Sequence, residues 1–281
     1  MKRLIRRLQT SPFWLRWPVK GLIFGAVTFL VLYPYPHLFI RHLQHCRRMD
    51  SLADPAEPQL APLAAAFDSF LAANGLTDGN SQALLDAVGQ FVRAEIPYAY
   101  DWETWGVADY LPTIPEIIAM GREDCDGQAI IAAALLRHRG IDARLVGDPR
   151  HLWVQTPEGS AMGALGPATL TADASGTHIA WSQALDIGYF AVGVALFPII
   201  RELILLIIGW LLLLPPAPRT SQLVISGFLV FDAWMLMRMA GFNHRSPNSF
   251  QAWWAVAHVI LAVVVLSLRY RNHQKHTIWS V

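Results

Sequence analysis

A cysteine and a histidine stand in positions suited to nucleophilic catalysis. Cys125 lies in the segment DCDGQAII, where a loop passes into an apolar helix, and His151 opens the alternating segment HLWVQT. A cysteine in the first turn of a helix is close to unpaired backbone N–H groups, which favour a thiolate and can hold a developing oxyanion. A neighbouring histidine can take the thiol proton as general base. The pair predicts attack by the Cys125 sulfur on an acyl carbon.

Two aspartates flank the cysteine and act in different ways. Asp124 is a good N-cap for the helix, but the charges of Asp124 and Asp126 also raise the pKa of the Cys125 thiol. A cation near the sulfur would offset this effect, and a protonated His151 is the candidate. In the alternative interpretation, Cys125 is a small buried hydrophobic residue and His151 an ordinary strand residue. The two special positions together favour catalysis.

Two elements must bring these side chains together. Residues Ala129–Leu136 are all apolar and Gly140 is a stop signal, which predicts a helix buried on every side. The strands IDARLV and HLWVQT follow, with turn residues Gly147–Pro149 between them, which predicts a hairpin. Alternation places His151 on one face of the second strand and Leu152 on the core-facing side. Three further helices are predicted at Leu60–Ala73, Ser81–Glu95 and Ile114–Met120.

These residues resemble a known family from Val92 to Gly159. The helix start has the pattern D-C-x-x-x-A, and the pattern H-x-W-V follows on a strand. This combination resembles the transglutaminase-like superfamily of papain-fold cysteine enzymes. The segments IPYAYD, Trp105-Gly106 and Asp109-Tyr110 resemble its bacterial transglutaminase-like cysteine proteinases. The resemblance implies an α+β papain/transglutaminase-like domain with Cys125 as nucleophile at the start of a central helix. It implies that His151 is the base, on an antiparallel sheet packed against that helix.

The third catalytic residue of that family is missing from its usual place. The family pattern has an Asp-Pro after the histidine strand, whose aspartate orients the imidazole, and this sequence has Gly166-Pro167 there. Asp173 is the candidate substitute if the chain folds back, whereas Asp148 and Glu158 lie on turns and are worse placed. Because such an aspartate fixes the tautomer and does not take the proton, a thiol and an imidazole can react without it. We expect reduced efficiency or lost activity.

The composition predicts a membrane protein. The chain is 54% hydrophobic and 15% charged, with a mean hydropathy of +0.33, which is too apolar for an ordinary soluble enzyme. The uncharged run from Gly21 to Ile40 can span a bilayer and is not followed by the small-residue cleavage site of a signal peptide. We expect an uncleaved anchor whose outer end is bent by Pro34 and Pro36.

Three more apolar stretches follow, which makes about four transmembrane helices. The first, at 187–214, is interrupted at Arg201-Glu202 and fits an interfacial segment leading into a span, one tilted helix or two half-helices; we prefer one crossing. The predicted organisation is a basic cytoplasmic tail (1–18), a transmembrane helix (19–40), a juxtamembrane tether (41–62), the transglutaminase-like domain (63–183), transmembrane helices (187–214, 222–240, 250–268) and a basic cytoplasmic tail (269–281).

The charges predict the orientation of these parts. Residues 50–186 carry 19 Asp and Glu against six Arg and no Lys, a net charge of about −13 that argues against binding to nucleic acid. Both termini are basic, so the positive-inside rule places both in the cytoplasm. The domain between the first and second spans is then extracytoplasmic, and the protein is integral to the cytoplasmic (inner) membrane. With only Cys46 and Cys125 present, one disulfide is the most that can form.

Charged side chains within the apolar stretches are costly and need partners. Such residues mark a functional site by default. In the alternative interpretation, Arg201-Glu202 lies at the outer interface and Asp232 caps or pairs. His258 is the fourth such residue. No transporter repeat and no nucleotide-binding or metalloprotease motif accompanies them.

Three functions fit the sequence. The first is a membrane-anchored cysteine hydrolase that cuts an amide in a peptide, a protein or the cell wall through a Cys125 thioester, with His151 as base. The second is a protein-glutamine acyltransferase of the same fold, in which an amine resolves the thioester. The third is an inactive extracytoplasmic binding domain. No cofactor and no metal is expected, and a membrane-protein partner could bind through the helical bundle.

Overall fold

The chain forms two compact units. The globular unit comprises Leu32–Leu185, and the helical unit comprises Met1–Val31 together with Asp186–Val281. The globular unit is therefore an insertion in the sequence of the helical unit. The computed structural model describes residues 12–76, 82–163, 168–173, 175–181, 185–215 and 218–277.

The globular unit combines helices with one small antiparallel sheet. The order of strands in the sheet is β3-β2-β1-β4-β5. Its α-helices are α2 (Pro36–Arg47), α3 (Ala61–Ala73), α4 (Gln82–Glu95), α5 (Asp101–Thr104), α6 (Ile114–Met120) and α7 (Cys125–His138). Its strands are β1 (Arg144–Asp148), β2 (His151–Thr156), β3 (Gly159–Ala161), β4 (Leu170–Asp173) and β5 (Gly176–Ile179). This mixed architecture agrees with the predicted α+β class.

Helix α7 is the centre of the core. Every residue from Ala129 to Leu136 is at most 1% exposed, so the helix is buried on all sides, as predicted. Its alanines let neighbouring elements approach closely, and it packs against β2 and α4. The β1–β2 hairpin pairs Asp148 with His151 and Val146 with Trp153. The three upstream helices are also confirmed, as α3, α4 and α6, within the described residues.

The segment predicted as a tether is folded into the globular unit. It contains the second half of α2 and two short 3₁₀ turns, Met49–Ala53 and Pro58–Leu60. Leu52, Ala53 and Leu60 are buried in the core. The guanidinium of Arg137, at the end of α7, donates to the carbonyl oxygens of Asp50 and Ala53 at 2.9 and 3.1 Å. Apolar side chains spaced among the prolines explain why this segment packs.

The helical unit contains three helices long and apolar enough to cross a membrane. This count, taken over the described residues, rises to four if a bent pair of shorter helices is one span. Such helices indicate a membrane protein. The helices are α1 (Phe13–Leu32), the bent pair α8 (Ile187–Leu196) and α9 (Ile199–Leu213), then α10 (Thr220–Gly241) and α11 (Ser249–Thr277).

The first span begins and ends earlier than the predicted 19–40. Its apolar helical part is Trp14–Leu32, after which the chain leaves the helix until α2 starts at Pro36. Pro34 lacks a backbone N–H and disfavours helical geometry at the preceding residue. The prolines therefore end the helix, where the sequence alone suggested only a bend.

The stretch 187–214 forms two helices that meet at an angle of 118°. The break lies at Phe197–Pro198, where the first helix ends. Arg238 of α10 donates to the carbonyl oxygens of Val194, Ala195 and Phe197 at 3.1, 2.8 and 3.3 Å. One arginine thus satisfies backbone acceptors freed by the break.

Two pairs of ionisable residues lie within these helices, Glu202 with Arg238 and Asp232 with His258. Glu202 is 7% exposed, forms a salt bridge with Arg238 and accepts a hydrogen bond from the Trp234 indole at 2.8 Å. Asp232 lies 3.2 Å from Nε2 of His258, which agrees with the interpretation that Asp232 caps or pairs. These contacts give ionisable side chains polar partners within the unit.

Candidate functional site

Cys125 is the first residue of α7, as the sequence predicts. Asp124 is the N-cap, and its Oδ1 accepts the backbone N–H of Asp126 at 2.9 Å. The Cys125 thiol lies 3.4 Å from Oδ1 of Asp126 and donates to it. The backbone of Leu152, the residue after His151, is close enough to lower the pKa of this thiol. The sulfur therefore lies against the strand that carries the predicted base.

The surroundings of the sulfur oppose ionisation. Burial first, and then the charges of Asp126 and Asp124, raise the pKa of the Cys125 thiol well above its ordinary value. The backbone of Leu152 lowers the pKa by less than these effects raise it. Burial and the acidic neighbours therefore oppose the thiolate that a helix start favours. A base must take the proton when the sulfur attacks.

The imidazole of His151 is held by a backbone carbonyl. Its Nε2 lies 2.9 Å from the oxygen of Met162, and its ring stacks on Trp153 with centroids 6.1 Å apart. Because a carbonyl oxygen only accepts, Nε2 carries the hydrogen and Nδ1 has the lone pair of a base in the neutral ring. Among the described residues, Nδ1 has no hydrogen-bond partner, and no hydrogen bond or ion pair joins His151 to Cys125.

Met162 holds that carbonyl in an unusual backbone conformation. It follows β3 directly, and the β2–β3 pairing of Val154 with Ala161 brings it beside β2. Its φ is +71°, and it is the one described residue other than glycine in the left-handed region. Sequence reasoning missed Met162 because a methionine gives no signal for this conformation. The following Gly163 was the nearest cue to a tight turn.

Asp173 lies at the other end of the sheet from His151. In β4, Leu170 pairs with Gly147 and Thr171 with Val146, so Asp173 continues toward the Arg144 end of β1. Its exposed carboxylate accepts hydrogen bonds from the backbone and hydroxyl of Ser175. The structure does not bring Asp173 to the predicted pair.

The other carboxylates considered as orienting groups give no partner for His151 either. Asp148 pairs with His151 across the hairpin backbone, but its side chain forms a buried salt bridge with Arg150. Gly166-Pro167, where the family pattern has its Asp-Pro, lies outside the described residues. The hydrogen-bond acceptor of the His151 imidazole is therefore a backbone oxygen, that of Met162.

Several carboxyl groups crowd beside Cys125. Burial, strengthened by neighbouring carboxylates, raises the pKa of Asp101 to about 11, and burial followed by Asp109 raises that of Asp126 to about 7. Burial also raises the pKa values of Glu123 and Asp124. Burial and like charges at short range therefore favour the protonated forms of these carboxyl groups.

The same oxygens include sets that could hold a metal ion. Ligand atoms of Asp101, Glu123 and Asp124 lie within 4.8 Å of one another, as do those of Asp124, Cys125 and Asp126. Carboxylate oxygens suit hard cations such as Ca²⁺. The closeness of Asp101 to Glu123 and Asp124 has no local signal in the sequence, because Asp101 is distant from them along the chain.

Glu123 fixes the start of α7. Its side chain accepts the indole N–H of Trp105 and, at 2.9 Å, the backbone N–H of Asp124. Its backbone N–H donates to the carbonyl oxygen of Pro97, and its carbonyl oxygen accepts from the N–H of Ala99, both at 3.1 Å. A Cβ at Gly127 would lie 2.0 Å from Cγ of Glu123, so only glycine fits there. The DCDG segment is therefore built around a buried glutamate.

An aromatic row borders the site. Tyr98 is 55% exposed, yet the charges of Cys125 and Asp124 contribute, after burial, to raising its pKa. Its ring meets Tyr100 edge-on at 5.3 Å, and Tyr100 stacks on Trp102 at 4.2 Å. Exposed aromatic faces beside a nucleophile can bind part of a substrate.

Cys46 is the second free cysteine, and no disulfide joins it to Cys125. Its sulfur lies 3.2 Å from Nε2 of His42, and burial first, then Asp109, raises the pKa of its thiol to about 12. Cys46 is partly buried against the core. It provides an internal reference for thiol reactivity.

Comparison with known proteins gives no relative from which roles could be transferred. No family model, curated protein or solved structure matches this chain. The residues of the site must therefore be interpreted from their own chemistry.

Proposed function

We propose that this chain is a membrane-anchored cysteine hydrolase that cuts an amide bond in a peptide, a protein or a cell-wall cross-link. Cys125 is the nucleophile and His151 the general base. The observation that carries the proposal is the hydrogen bond from His151 Nε2 to the Met162 carbonyl oxygen, 2.9 Å away. It leaves Nδ1 able to take a proton without any aspartate.

The proposed reaction has two stages. His151 Nδ1 takes the thiol proton while the sulfur bonds to the acyl carbon, and the imidazolium returns that proton to the amine as the C–N bond breaks. Water then attacks the thioester, gives a proton to His151, and releases a carboxylic acid while Cys125 regains its proton. Backbone N–H groups at the start of α7 are the candidate oxyanion donors.

The raised thiol pKa specifies how the base acts in this proposal. A thiol surrounded by Asp124 and Asp126 is neutral at rest, so proton removal accompanies attack. The same domain supports acyl transfer when an amine replaces water at the thioester. We place it in the papain/transglutaminase-like fold class, with support from a buried helix that begins at the cysteine and packs on the histidine strand.

The proposal extends to location. The chain is placed in the cytoplasmic membrane with the globular unit outside, supported by the apolar helices and the acidic composition of residues 50–186. Its substrate is then extracytoplasmic.

The test uses the full chain in neutral detergent and a p-nitrophenyl ester that transfers an acetyl group to reactive thiols. Intact-protein and peptide mass spectrometry should find the acetyl group on Cys125 before Cys46. His151→Ala should slow acetylation by roughly 10²- to 10⁴-fold, the usual contribution of a general base. Cys46→Ala is the matched control and should leave the rate unchanged.

A second pair of variants tests the Met162 carbonyl. Met162→Gly tolerates a φ of +71°, whereas Met162→Val, being β-branched, does not. The glycine variant should acetylate like the original chain and the valine variant at least about tenfold more slowly, because the imidazole loses its acceptor. Equal labelling of both cysteines, or insensitivity to His151→Ala, would contradict catalysis and favour a binding domain. An added amine that captures the acetyl group would indicate acyl transfer.

A further inference from the structure

The helical unit contains a long cavity that the proposed hydrolase chemistry does not use. Its volume is about 640 Å³, within the range of small-molecule sites, and its wall is formed by α1, α8, α9, α10 and α11. Phe24, Leu206 and Trp210 are typical of the wall. Among the described residues that line it, Lys20 and Glu202 are the only charged ones. The cavity is therefore apolar along its length.

The two charged residues mark opposite ends of the cavity. Glu202 lies near the beginning of α9, and Nζ of Lys20 donates to the carbonyl oxygen of Leu212 near the end of that helix. A helix rises about 1.5 Å per residue, so residues 202 and 212 are roughly 15 Å apart. The hydrocarbon core of a bilayer is about 30 Å thick. The cavity thus has the length of an acyl chain in one leaflet.

The charges differ in what they can still bind. Glu202 forms a salt bridge with Arg238, so its charge already has a partner. Lys20 uses one of three N–H donors on Leu212, and Arg16 adds positive charge one helical turn away. The basic residues before α1 favour the cytoplasmic leaflet for this end, which is rich in anionic lipid.

We infer that the helical unit binds one anionic phospholipid, with its phosphate at Lys20 and an acyl chain in the cavity. The apolar wall holds the chain, and the ammonium distinguishes anionic from zwitterionic headgroups. Binding would tie α1 to the other helices of the unit, because the wall includes residues from both. This inference is independent of the chemistry at Cys125.

The test is native mass spectrometry of the delipidated full chain in neutral detergent, titrated with phosphatidylglycerol or with phosphatidylcholine of the same acyl chains. One phosphatidylglycerol should bind per chain, more tightly than phosphatidylcholine. Lys20→Gln should weaken phosphatidylglycerol binding about fivefold, the usual effect of one basic residue near an anionic lipid, and leave phosphatidylcholine unchanged.

A second variant fills the cavity. Gly21 lies in the wall, and a Cβ added there meets nothing within 4 Å. The side chain of Gly21→Leu can therefore extend into the cavity without a clash at Cβ. It should abolish binding of both lipids. Gly193→Leu is the matched control, since Gly193 is also open to an added Cβ but lies outside the wall.

Three outcomes would overturn the inference. In the first, the original chain binds phosphatidylglycerol and phosphatidylcholine equally, and Lys20→Gln does the same. In the second, Gly21→Leu binds lipid as the original chain does. In the third, the chain retains a fatty acid and not the phospholipid. Thermal unfolding of each variant shows whether it is folded. If Gly21→Leu is not folded, the result for Lys20→Gln still decides the test.

Discussion

A carbonyl oxygen in place of a carboxylate changes what His151 can do. The Met162 oxygen fixes which ring nitrogen carries hydrogen, but it brings no full negative charge to stabilise an imidazolium. When Asp124 and Asp126 lose their protons, their negative charge lies beside the sulfur and raises the pKa of the Cys125 thiol. Charge at this site therefore disfavours thiolate formation without directly assisting the base.

Replacement of Asp126 should reveal this effect through its pH dependence. Burial raises the pKa of Asp126 to about 7, so its carboxyl is largely neutral below that pH and charged above it. Asp126→Asn removes a charge that raises the pKa of the Cys125 thiol. Alkylation of Cys125 by iodoacetamide should be at least about threefold faster in the variant at about pH 8, and nearly equal at about pH 6.

The control for this prediction is Asp142→Asn, which removes an exposed carboxylate paired with Arg144. It should not alter the rate at either pH. A rate ratio for Asp126→Asn that does not change with pH would contradict the assigned titration. Peptide mass spectrometry separates labelling at Cys125 from labelling at Cys46.

At the level of single residues, the sequence predicted the secondary-structure positions of the site residues better than their hydrogen-bond partners. Cys125 at a helix start and His151 at a strand start were found because local composition determines both. The carbonyl that holds the imidazole could not be found, because it depends on the backbone angle of Met162 and on hairpin register. Asp173 was predicted from sequence distance alone, and strand pairing places it at the opposite sheet end.

Among the elements, the start of α7 has the least tolerance for change. It requires glycine at 127, since a Cβ would lie 2.0 Å from the buried side chain of Glu123. Gly127→Ala should lower the free energy of unfolding by about 1–3 kcal/mol, the usual cost of overpacking, although alanine is the better helix former. Chemical denaturation followed by tryptophan fluorescence measures it.

Gly89→Ala provides the comparison within the same unit. A Cβ there meets the mobile end of Arg93 at 3.3 Å, which can move aside, so the variant should be neutral or slightly stabilised. Gly127→Ala should also slow acetylation of Cys125, because Glu123 holds the backbone at the helix start. Equal stability of the two variants would contradict the close packing.

Regular elements followed from hydrophobic pattern, and their irregular connections did not. The helices α3, α4 and α6 were predicted closely because their apolar residues recur at helical spacing, and α7 because Ala129–Leu136 is an unbroken apolar run. The 3₁₀ turns Met49–Ala53 and Pro58–Leu60 looked like a tether, since many prolines mask a few buried side chains. The interruption of 187–214 was predicted at Arg201-Glu202, but the helices break at Phe197–Pro198, and Arg201 and Glu202 lie within α9.

For the whole molecule, the topology depends on whether α8 and α9, which meet at 118°, cross the membrane or return to the side they entered. If the pair crosses the membrane, four crossings leave both termini in the cytoplasm, as the basic tails predict. If it returns to the side it entered, three crossings place the termini on opposite sides. Neither length nor hydropathy of residues 187–214 distinguishes these two paths.

Reporter fusions measure this directly. We expect alkaline phosphatase to be inactive, and a cytoplasmic fluorescent protein bright, when each is fused after residue 281. The same reporters fused after residue 185 should give the reverse pattern, because the globular unit lies between the first two spans in either topology. An active phosphatase at residue 281 would establish three crossings and contradict the positive-inside prediction.

The contact between Lys20 and Leu212 joins residues 192 positions apart. During synthesis α1 emerges first and has none of its helical partners until the entire globular unit has been made. The globular unit is therefore complete in the growing chain before the helical unit is, and α1 can meet its helical partners only after they have been made. Completion of the membrane part then depends on the C-terminal end of translation, so truncated chains would display the globular unit on a single unpartnered helix.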